Sequence, residues 1–598
     1  MFQTFSEATN PSEGPARLAA LRAAMKSEDL QGFLIPRADA HQGEYVAPHD
    51  ARLAWLTGFT GSAGFCAVLP DIAGVFVDGR YRVQVKAQVD TQVFTPVGWP
   101  ETKLGTWLND HAPKDAKIGF DMWLHTAHEI ETLNKALADS STKLCPGSNL
   151  VDAIWHDQPA APAGKITDYP AKFAGQKSSE KRAQIASALR DAGQNACVLT
   201  LPDSIAWLLN IRGSDIERNP VPLVFAILQD DASVQLITDP AKVADLPADP
   251  DIQIIAPADF TSALENLTGT VRIDPKSAPF AISAILEDAG VIIACGDDPC
   301  VLPKARKNQT EIAGTREAHF RDGAAIVEFL CWLEASGAKP GGDEISIVKK
   351  LEHYRRATNA LLDISFETIC GSGPNGALPH YRVSDESNRT LVDGDLIVID
   401  SGGQYIDGTT DITRTVCVGA PGAEERAAFT RVLQGMIAIS RVRWPRGLSG
   451  RDLDPLARFA LWTAGQDYDH GTGHGVGTYL CVHEGPQRIS RLSEIALEPG
   501  MILSNEPGYY REGAFGIRTE NLCVVQDAPA LKGADKRDML AFETLTFAPI
   551  SMALVDAALL SPAERDWLND YHAQVFGKLK DRLGENARNW LENATAPI

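Results

Sequence analysis

Positive charge is scarce in this chain of 598 residues: 56 Lys and Arg stand against 78 Asp and Glu, a formal net charge of −22. Such a surface repels phosphate backbones and anionic lipid, so no nucleic acid and no membrane is expected as a partner. The ten cysteines are scattered, with no CxxC pair. Neither a thiolate zinc site nor a disulfide framework is expected, and the thiols read as reduced. No apolar run approaches the ~20 residues that a membrane span needs. The opening MFQTFSEATNPSEGP lacks the basic start and apolar core of a secretory signal, so the expected location is cytoplasmic. HExxH, GxSxG and the P-loop GxxxxGK(S/T) are also absent. GSGPNG (371–376) formally matches GxGxxG, but Pro379 stands where the dinucleotide-binding helix would have to run. The common zinc-protease, serine-hydrolase and nucleotide-binding signatures thus find no support.

What is present is ordinary globular material, 44% hydrophobic, long enough for two to four domains. Two stretches poor in periodicity, HDQPAAPAGKITDYPAK (156–172) and CGDDPCVLPKARKNQ (295–309), read as linkers. They predict domains over 1–160, 161–302 and 303–598, the last with an extension over about 550–598. The first two look duplicated. LAALRAAMKSEDLQ runs into GFLIP and later RLAWLTGFTGS; KRAQIASALRDAGQ runs into ACVLTLP and then SIAWLLNIRGS. Trp55 and Trp207 stand at matching places, each with Gly-Ser seven residues on. Helix followed by apolar strand, repeated, predicts two tandem α/β domains. The third block mixes helices, at TEIAGTREAHFRDGAAIVEFLCWLEAS, SIVKKLEHYRRATNA and AEERAAFTRVLQGMIAISRV, with strand pairs rather than regular βαβ units, which predicts an α+β domain. The tail SPAERDWLNDYHAQVFGKLKDRLGENARNWLENAT reads as two amphipathic helices, either packed or solvated.

Four of the thirteen histidines fall between 380 and 483, interleaved with carboxylates on apolar strands. In LIVIDSGGQYIDGTTDITRTV, Asp400 ends a buried strand and Asp411 opens the returning one, a spacing of 11 residues that a hairpin can bring side by side. Two such charges in a buried sheet repel unless a cation neutralises them. HGTGHGVG (470–477) carries His470 and His474 among four glycines, which predicts a tight loop with close backbone approach, and His483 follows nine residues later. Glu506 follows the apolar MILSN at a strand end, and Glu520 sits within the strand-like GIRTENLCVV. Asp400, Asp411, His474, Glu506 and Glu520 thus offer four carboxylates and one imidazole. That set suits two divalent ions, Mn(II) first and Co(II) or Zn(II) as alternatives.

The order of these five residues is similar to the dinuclear site of the pita-bread (M24B) metallopeptidases. GPNGALPHY, DSGGQYIDGTTDITRT, HGTGHGVGTYLCVHEGP, NEPGYY and FGIRTEN resemble the large three-domain cytosolic Xaa-Pro aminopeptidases (aminopeptidase P). DAHQGEYVAP (39–48), GFTGSAG, VDGRY and AWLLNIRGSDIERNPV resemble their two creatinase-like N-terminal domains, so the likeness spans essentially the whole chain. It implies an α+β pita-bread catalytic domain behind two related α/β domains. Asp400 and Asp411 would serve one metal, His474 and Glu506 the other, with Asp411 and Glu520 reaching both. A hydroxide between the ions would be the nucleophile and Glu506 the proton shuttle. His380 and His483 would hold substrate and stabilise the oxyanion, and His470 would line the proline side of the cleft. Arg518 would orient the carboxylates, with Tyr510 nearby, and Arg80 would be a contact from the first domain. The implied substrates are peptides with proline in the second position, and the implied assembly is a homodimer.

Two other readings compete. A prolidase would cut only Xaa-Pro dipeptides and must recognise a carboxylate beside the proline; the duplicated front half argues for the aminopeptidase. A catalytically inactive binding protein on the same scaffold would have lost the ligands, and this chain keeps all five.

Overall fold

Runs such as GFLIP and ACVL are apolar at every position, which suits strands covered on both faces. In the computed structural model, which describes residues 1–6 and 10–598, Gly32–Pro36 and Ala196–Leu199 each lie inside a six-stranded mixed sheet. Counted in chain order within each sheet, both sheets run 4-3-2-1-5-6. In both, the first strand pairs antiparallel with the second and parallel with the fifth. Trp55 and Trp207 sit on the helices that follow the first strand, Arg52–Thr57 and Pro202–Leu209. The repeated pattern in the sequence is therefore a repeated topology. Helices Ala127–Ala136 and Phe280–Asp288, equivalent in the two repeats, meet where Phe280 N–H donates to His125 O (2.8 Å) and Ala127 N–H to Ala278 O (3.2 Å). These domains make up the compact unit Ala8–Val301. Arg80 is held within its own turn by both oxygens of Asp78, with Nη2 2.7 Å from Oδ2.

The second unit takes Leu302–Ile598 together with the opening segment Met1–Glu7. The sequence places these first residues in the N-terminal domain; they belong instead to this second unit because their partners are there. Phe5 enters the core with Ile345 and Val348, and the Phe2 N–H donates to Glu352 Oε1 (2.8 Å). Gln3 exchanges bonds with the backbone of Thr368. The stretch 295–309, read as a linker, also carries structure. Val301–Ala305 is a short helix, and Lys304 and Lys307 are both buried against Glu484.

Helix Gln309–Trp332 opens on an Asn308–Glu311 capping box, and Glu344–Arg356 is capped by Asp343. Strands Ile369–Ser372, Leu396–Ser401 and Ile412–Cys417 form one antiparallel sheet, with Asp400 opposite Thr413. A second sheet contains Gly473–Gly475, Glu484–Ile489, Ile502–Asn505, Asn521–Asp527 and Met539–Thr544. Helices Ala423–Arg441 and Gly450–Trp462 pack on each other. The C-terminal helices Pro562–Leu579 and Glu585–Ala594 bury Leu568, Val575, Leu579 and Leu591 in the same core as Phe429, Leu433 and Met436. The tail is thus part of the packed unit, not a solvated appendage.

Candidate metal centre

Antiparallel register determines the first pair. Asp400 lies opposite Thr413, and Asp411 stands two residues before Thr413, so both carboxylates project from one face of the sheet. His474 lies on the three-residue strand Gly473–Gly475, which corrects the expectation of a loop. The glycines serve that strand by allowing close passage. A Cβ on Gly473 would come 1.9 Å from Ser504 O, and one on Gly475 2.3 Å from Glu484 O. Glu506 follows strand Ile502–Asn505 directly. Glu520 sits not inside a strand, as the apolar pattern suggests, but in the break between Phe515–Arg518 and Asn521–Asp527. Those two strands pair in different sheets, and the break swings Glu520 under Thr413, whose hydroxyl donates to Glu520 Oε2 at 2.8 Å.

His474 has a defined tautomer. Its Nδ1 lies 2.9 Å from Gly475 O and can only donate there, so Nε2 keeps its lone pair. Nε2 lies 3.4 Å from Glu506 Oε1 and 3.6 Å from Asp411 Oδ2, too far for hydrogen bonds. Ser504 ties the group together, accepting from His474 N–H (2.9 Å) and donating to Glu506 Oε1 (3.0 Å). Ligand atoms of Asp411, His474 and Glu520 all lie within 4.8 Å of one another.

The carboxylates have oxygens to spare. Among the described residues, the buried Asp400 Oδ1, Asp411 Oδ1 and Glu520 Oε1 have no hydrogen-bond partner. A buried, unpaired carboxylate oxygen is costly. Burial, then the negative charges of Asp400 and Glu506, push Asp411 well above the usual carboxylate range. Glu520 is pushed up in the same way by burial and then by Asp411, Glu506 and Asp400. Glu506 is raised by burial and by the charge of Asp400, against the opposing pull of Arg518. Orphaned oxygens, mutual repulsion and one free imidazole lone pair are what divalent cations would resolve, so the residues fit a metal centre.

Arg518 is the only cation bonded directly to these carboxylates among the described residues, through Nη2 and Nε to Asp400 Oδ2 (2.6 and 3.2 Å). Its Nη1 donates to the Tyr510 hydroxyl, which lies 2.9 Å from His470 Nε2. His470 Nδ1 faces Gly471 O at 2.7 Å and must donate, so Nε2 accepts and the Tyr510 hydroxyl is the donor. Burial pushes Tyr510 up to about 12, which keeps that hydroxyl protonated. The His483 ring packs edge-on against His474, centroids 4.3 Å apart. His380 follows Pro379, whose carbonyl accepts from Arg518 Nη2 (3.1 Å). These contacts bring together Asp400, Asp411, His474, Glu506, Glu520, His470, His483, Arg518 and Tyr510, and His380 adjoins the Pro379 that meets Arg518; Arg80, the remaining expected residue, is bonded within its own turn. Thr413, Ser504 and Arg414 were not foreseen. The buried Arg414 donates to Glu520 O (2.6 Å) and Asn521 Oδ1 (2.9 Å), fixing the strand break. Its only signal in the sequence is its place in the alternating ITRTV.

Arg518→Met should lower kcat/KM about 10- to 100-fold, the usual loss when a group that orients metal ligands is removed. It should also destabilise the fold by about 3–5 kcal/mol, because Asp400 stays buried without its partner. Steady-state kinetics and urea unfolding check both.

Four family models match the chain. Residues 313–527 match metallopeptidase family M24, and 538–598 match the C-terminal region of peptidase M24. Residues 17–154 and 157–311 each match the creatinase/prolidase N-terminal domain. Aminopeptidase P2 of Arabidopsis thaliana is 38% identical over 615 residues, covering 95% of this chain and 86% of the plant protein. The crystal structure of an X-prolyl aminopeptidase from Caenorhabditis elegans, described as a cytosolic enzyme with a di-nuclear active site, matches with a TM-score of 0.91 at 33% identity. That match covers 98% of this chain and 100% of the nematode chain. The prolidase of Pyrococcus horikoshii OT3 matches with a TM-score of 0.50 at 25% identity, over 62% of this chain and 99% of its own.

Proposed function

The chain belongs to metallopeptidase family M24, and from that membership we propose that it is a metal-dependent aminopeptidase that hydrolyses the bond between an N-terminal residue and a following proline. The observation that carries this reading is correspondence along the whole length with an X-prolyl aminopeptidase, 98% of one chain on 100% of the other. A prolidase accounts for only 62% of this chain. Two divalent metal ions per chain are the cofactor, consistent with the di-nuclear site of that relative. Asp400, Asp411, His474, Glu506 and Glu520 are their holders in this proposal. Mn(II) is the preferred ion, because four carboxylates and one imidazole make an oxygen-rich set.

When bound, the cations supply the charge that balances the carboxylates and make the attacking water acidic. The chain's own residues do the rest. Glu506, steadied by the Ser504 hydroxyl, accepts the proton of the water and delivers one to the departing proline nitrogen. That nitrogen carries no hydrogen in the peptide and its ring fixes φ, so recognition goes through the carbonyl instead. His483 and His380 donate to that carbonyl oxygen as it becomes an oxyanion. His470 and Tyr510, joined by a hydrogen bond, line the proline side, with Tyr510 held by Arg518.

Peptide products test the reading. Arginine should be released from Arg-Pro-Pro, and not from Arg-Ala-Ala or N-acetylated Arg-Pro-Pro. Cleavage confined to Arg-Pro would turn the assignment to prolidase.

A homodimer and a cytoplasmic location complete the proposal. Location is supported by the cytosolic nematode relative; among the described residues no helix is long and apolar enough to cross a membrane. The dimer is supported by an exposed apolar patch. Leu456, Phe459 and Trp462 lie along one side of helix Gly450–Trp462, with Leu492 and Ile495 on the adjoining loop; Phe459 is 66% and Leu492 81% exposed. The loop is held against the helix start by Ser449 Oγ donating to Ser493 O (3.0 Å), and Arg491 lies over the Trp462 ring. A patch of this kind suits the self-complementary contact of a two-fold dimer. Phe459→Glu with Trp462→Glu should halve the mass seen by light scattering without altering the far-ultraviolet circular dichroism.

A further inference from the structure

Helix Gly450–Trp462 turns two charged side chains inward. Asp454 and Arg458, one helical turn apart, are 0% and 2% exposed. They pair through Arg458 Nε and Asp454 Oδ2 (2.8 Å). A buried ion pair is a weak source of stability compared with apolar residues of similar volume, so the pair is better explained by what it holds.

It holds the segment that carries His470. Arg458 Nη1 donates to Tyr468 O (2.7 Å) and to Asp467 Oδ1 (2.8 Å), and Nη2 donates to His470 O (2.8 Å). The guanidinium carbon lies over the Tyr468 ring, 3.8 Å from its centroid. Asp454 Oδ1 accepts the Thr472 hydroxyl at 2.6 Å. Since that hydroxyl donates its single hydrogen to Asp454, Tyr468 OH is the donor to Thr472 Oγ1. Residues 468, 470 and 472 are therefore each gripped from beneath. Thr472 O then accepts the N–H of Glu506 (2.8 Å). Above the segment, the His470 ring leads to Tyr510, Arg518 and Asp400.

We propose that Asp454, Arg458 and Thr472 form a buried positioning device that sets the place of His470, and through it the Tyr510–Arg518 chain. None of the three touches substrate. A rigid, planar fork gripping two carbonyls fixes backbone more tightly than a single point charge can, and displacement of about 1 Å in such a site can cost about 10²-fold in rate. The proposal rests on the aminopeptidase reading only where turnover is the readout.

Paired substitutions test it. Thr472→Val keeps the shape and loses the hydroxyl, whereas Thr472→Ser keeps the hydroxyl and loses a methyl group. A packing role would favour Val; a positioning role favours Ser. We expect Thr472→Val and Arg458→Lys to lower kcat/KM on Arg-Pro-Pro by about tenfold or more, and Thr472→Ser to stay within about twofold of wild type. In a His470→Ala background the same two substitutions should cost less than about twofold, because the group they position is gone. Hydrogen exchange read by mass spectrometry over residues 466–474 should quicken about tenfold in Thr472→Val and stay slow in Thr472→Ser. Equal damage by Ser and Val, undiminished losses in the His470→Ala background, or unchanged exchange would each overturn the proposal. A wild-type protein inactive on Arg-Pro-Pro would count against the function, while the exchange measurement would still decide the positioning.

Discussion

Glu520→Gln is expected to abolish turnover and, at the same time, to make the metal-free protein more stable. Both halves come from the same geometry. Glu520 is buried, one of its oxygens has no hydrogen-bond partner, and its neighbours Asp411, Glu506 and Asp400 are all acidic. Without cations, each ionised carboxylate there works against the fold. A glutamine removes one charge, can still accept the Thr413 hydroxyl, and turns an N–H toward Asp411. The melting temperature of metal-stripped protein should rise by about 1–3 °C. Mn(II) should then add little further stability, because a ligand to the ions is lost. The rate should fall by about 10⁴-fold or more, since acidified water and charge balance go together. The pH dependence carries the same sign. Carboxyls raised by burial bind protons more tightly in the folded state, so the metal-free protein should gain stability as pH falls from neutral toward the unfolded value near 4. Glu520→Gln should flatten that slope. Calorimetry of stripped and reloaded protein across pH reads all of these effects.

Glu506→Gln should show a different pattern. Its place beside His474 Nε2 (3.4 Å) and under the Ser504 hydroxyl (3.0 Å) suits a group that takes a proton and returns it. Loss of such a group costs about 10²–10⁴-fold in kcat, read at saturating Mn(II) because Glu506 is also one of the proposed holders of the ions. KM should change by less than about threefold, because no recognition of the peptide runs through this side chain. The acid limb of the kcat profile should also vanish from the residual activity, since falling pH no longer protonates the base. Glu506→Asp, which keeps the proton acceptor, should recover part of the rate and restore the limb.

Chemistry that is written locally is legible in the sequence. The hairpin from Asp400 to Asp411 is visible because an apolar run, a glycine turn and an alternating return fall within one stretch. The duplication of the first two domains is visible because each repeat presents its helix, strand and tryptophan in the same order. Position that depends on distant partners is not. Glu520 looks like a strand residue, and only Arg414 and Thr413, more than 100 residues earlier, reveal the break it occupies. His474 looks like a loop residue because glycine signals turns, yet these glycines make room for Ser504 and Glu484 carbonyls on neighbouring strands. Helix Gly450–Trp462 is masked in the sequence by its opening glycine and by Pro455. Phe5, more than 300 residues from its core partners, gave no local sign of its destination.

The central claim is that the buried carboxylates and His474 bring two divalent ions to bear on one peptide bond. Metal-stripped protein titrated with Mn(II), with arginine release from Arg-Pro-Pro followed at each addition, tests it most directly. The account predicts no turnover in the stripped protein and a rise that levels off at two equivalents per chain. Full activity without metal, or a plateau at a single equivalent, would contradict it.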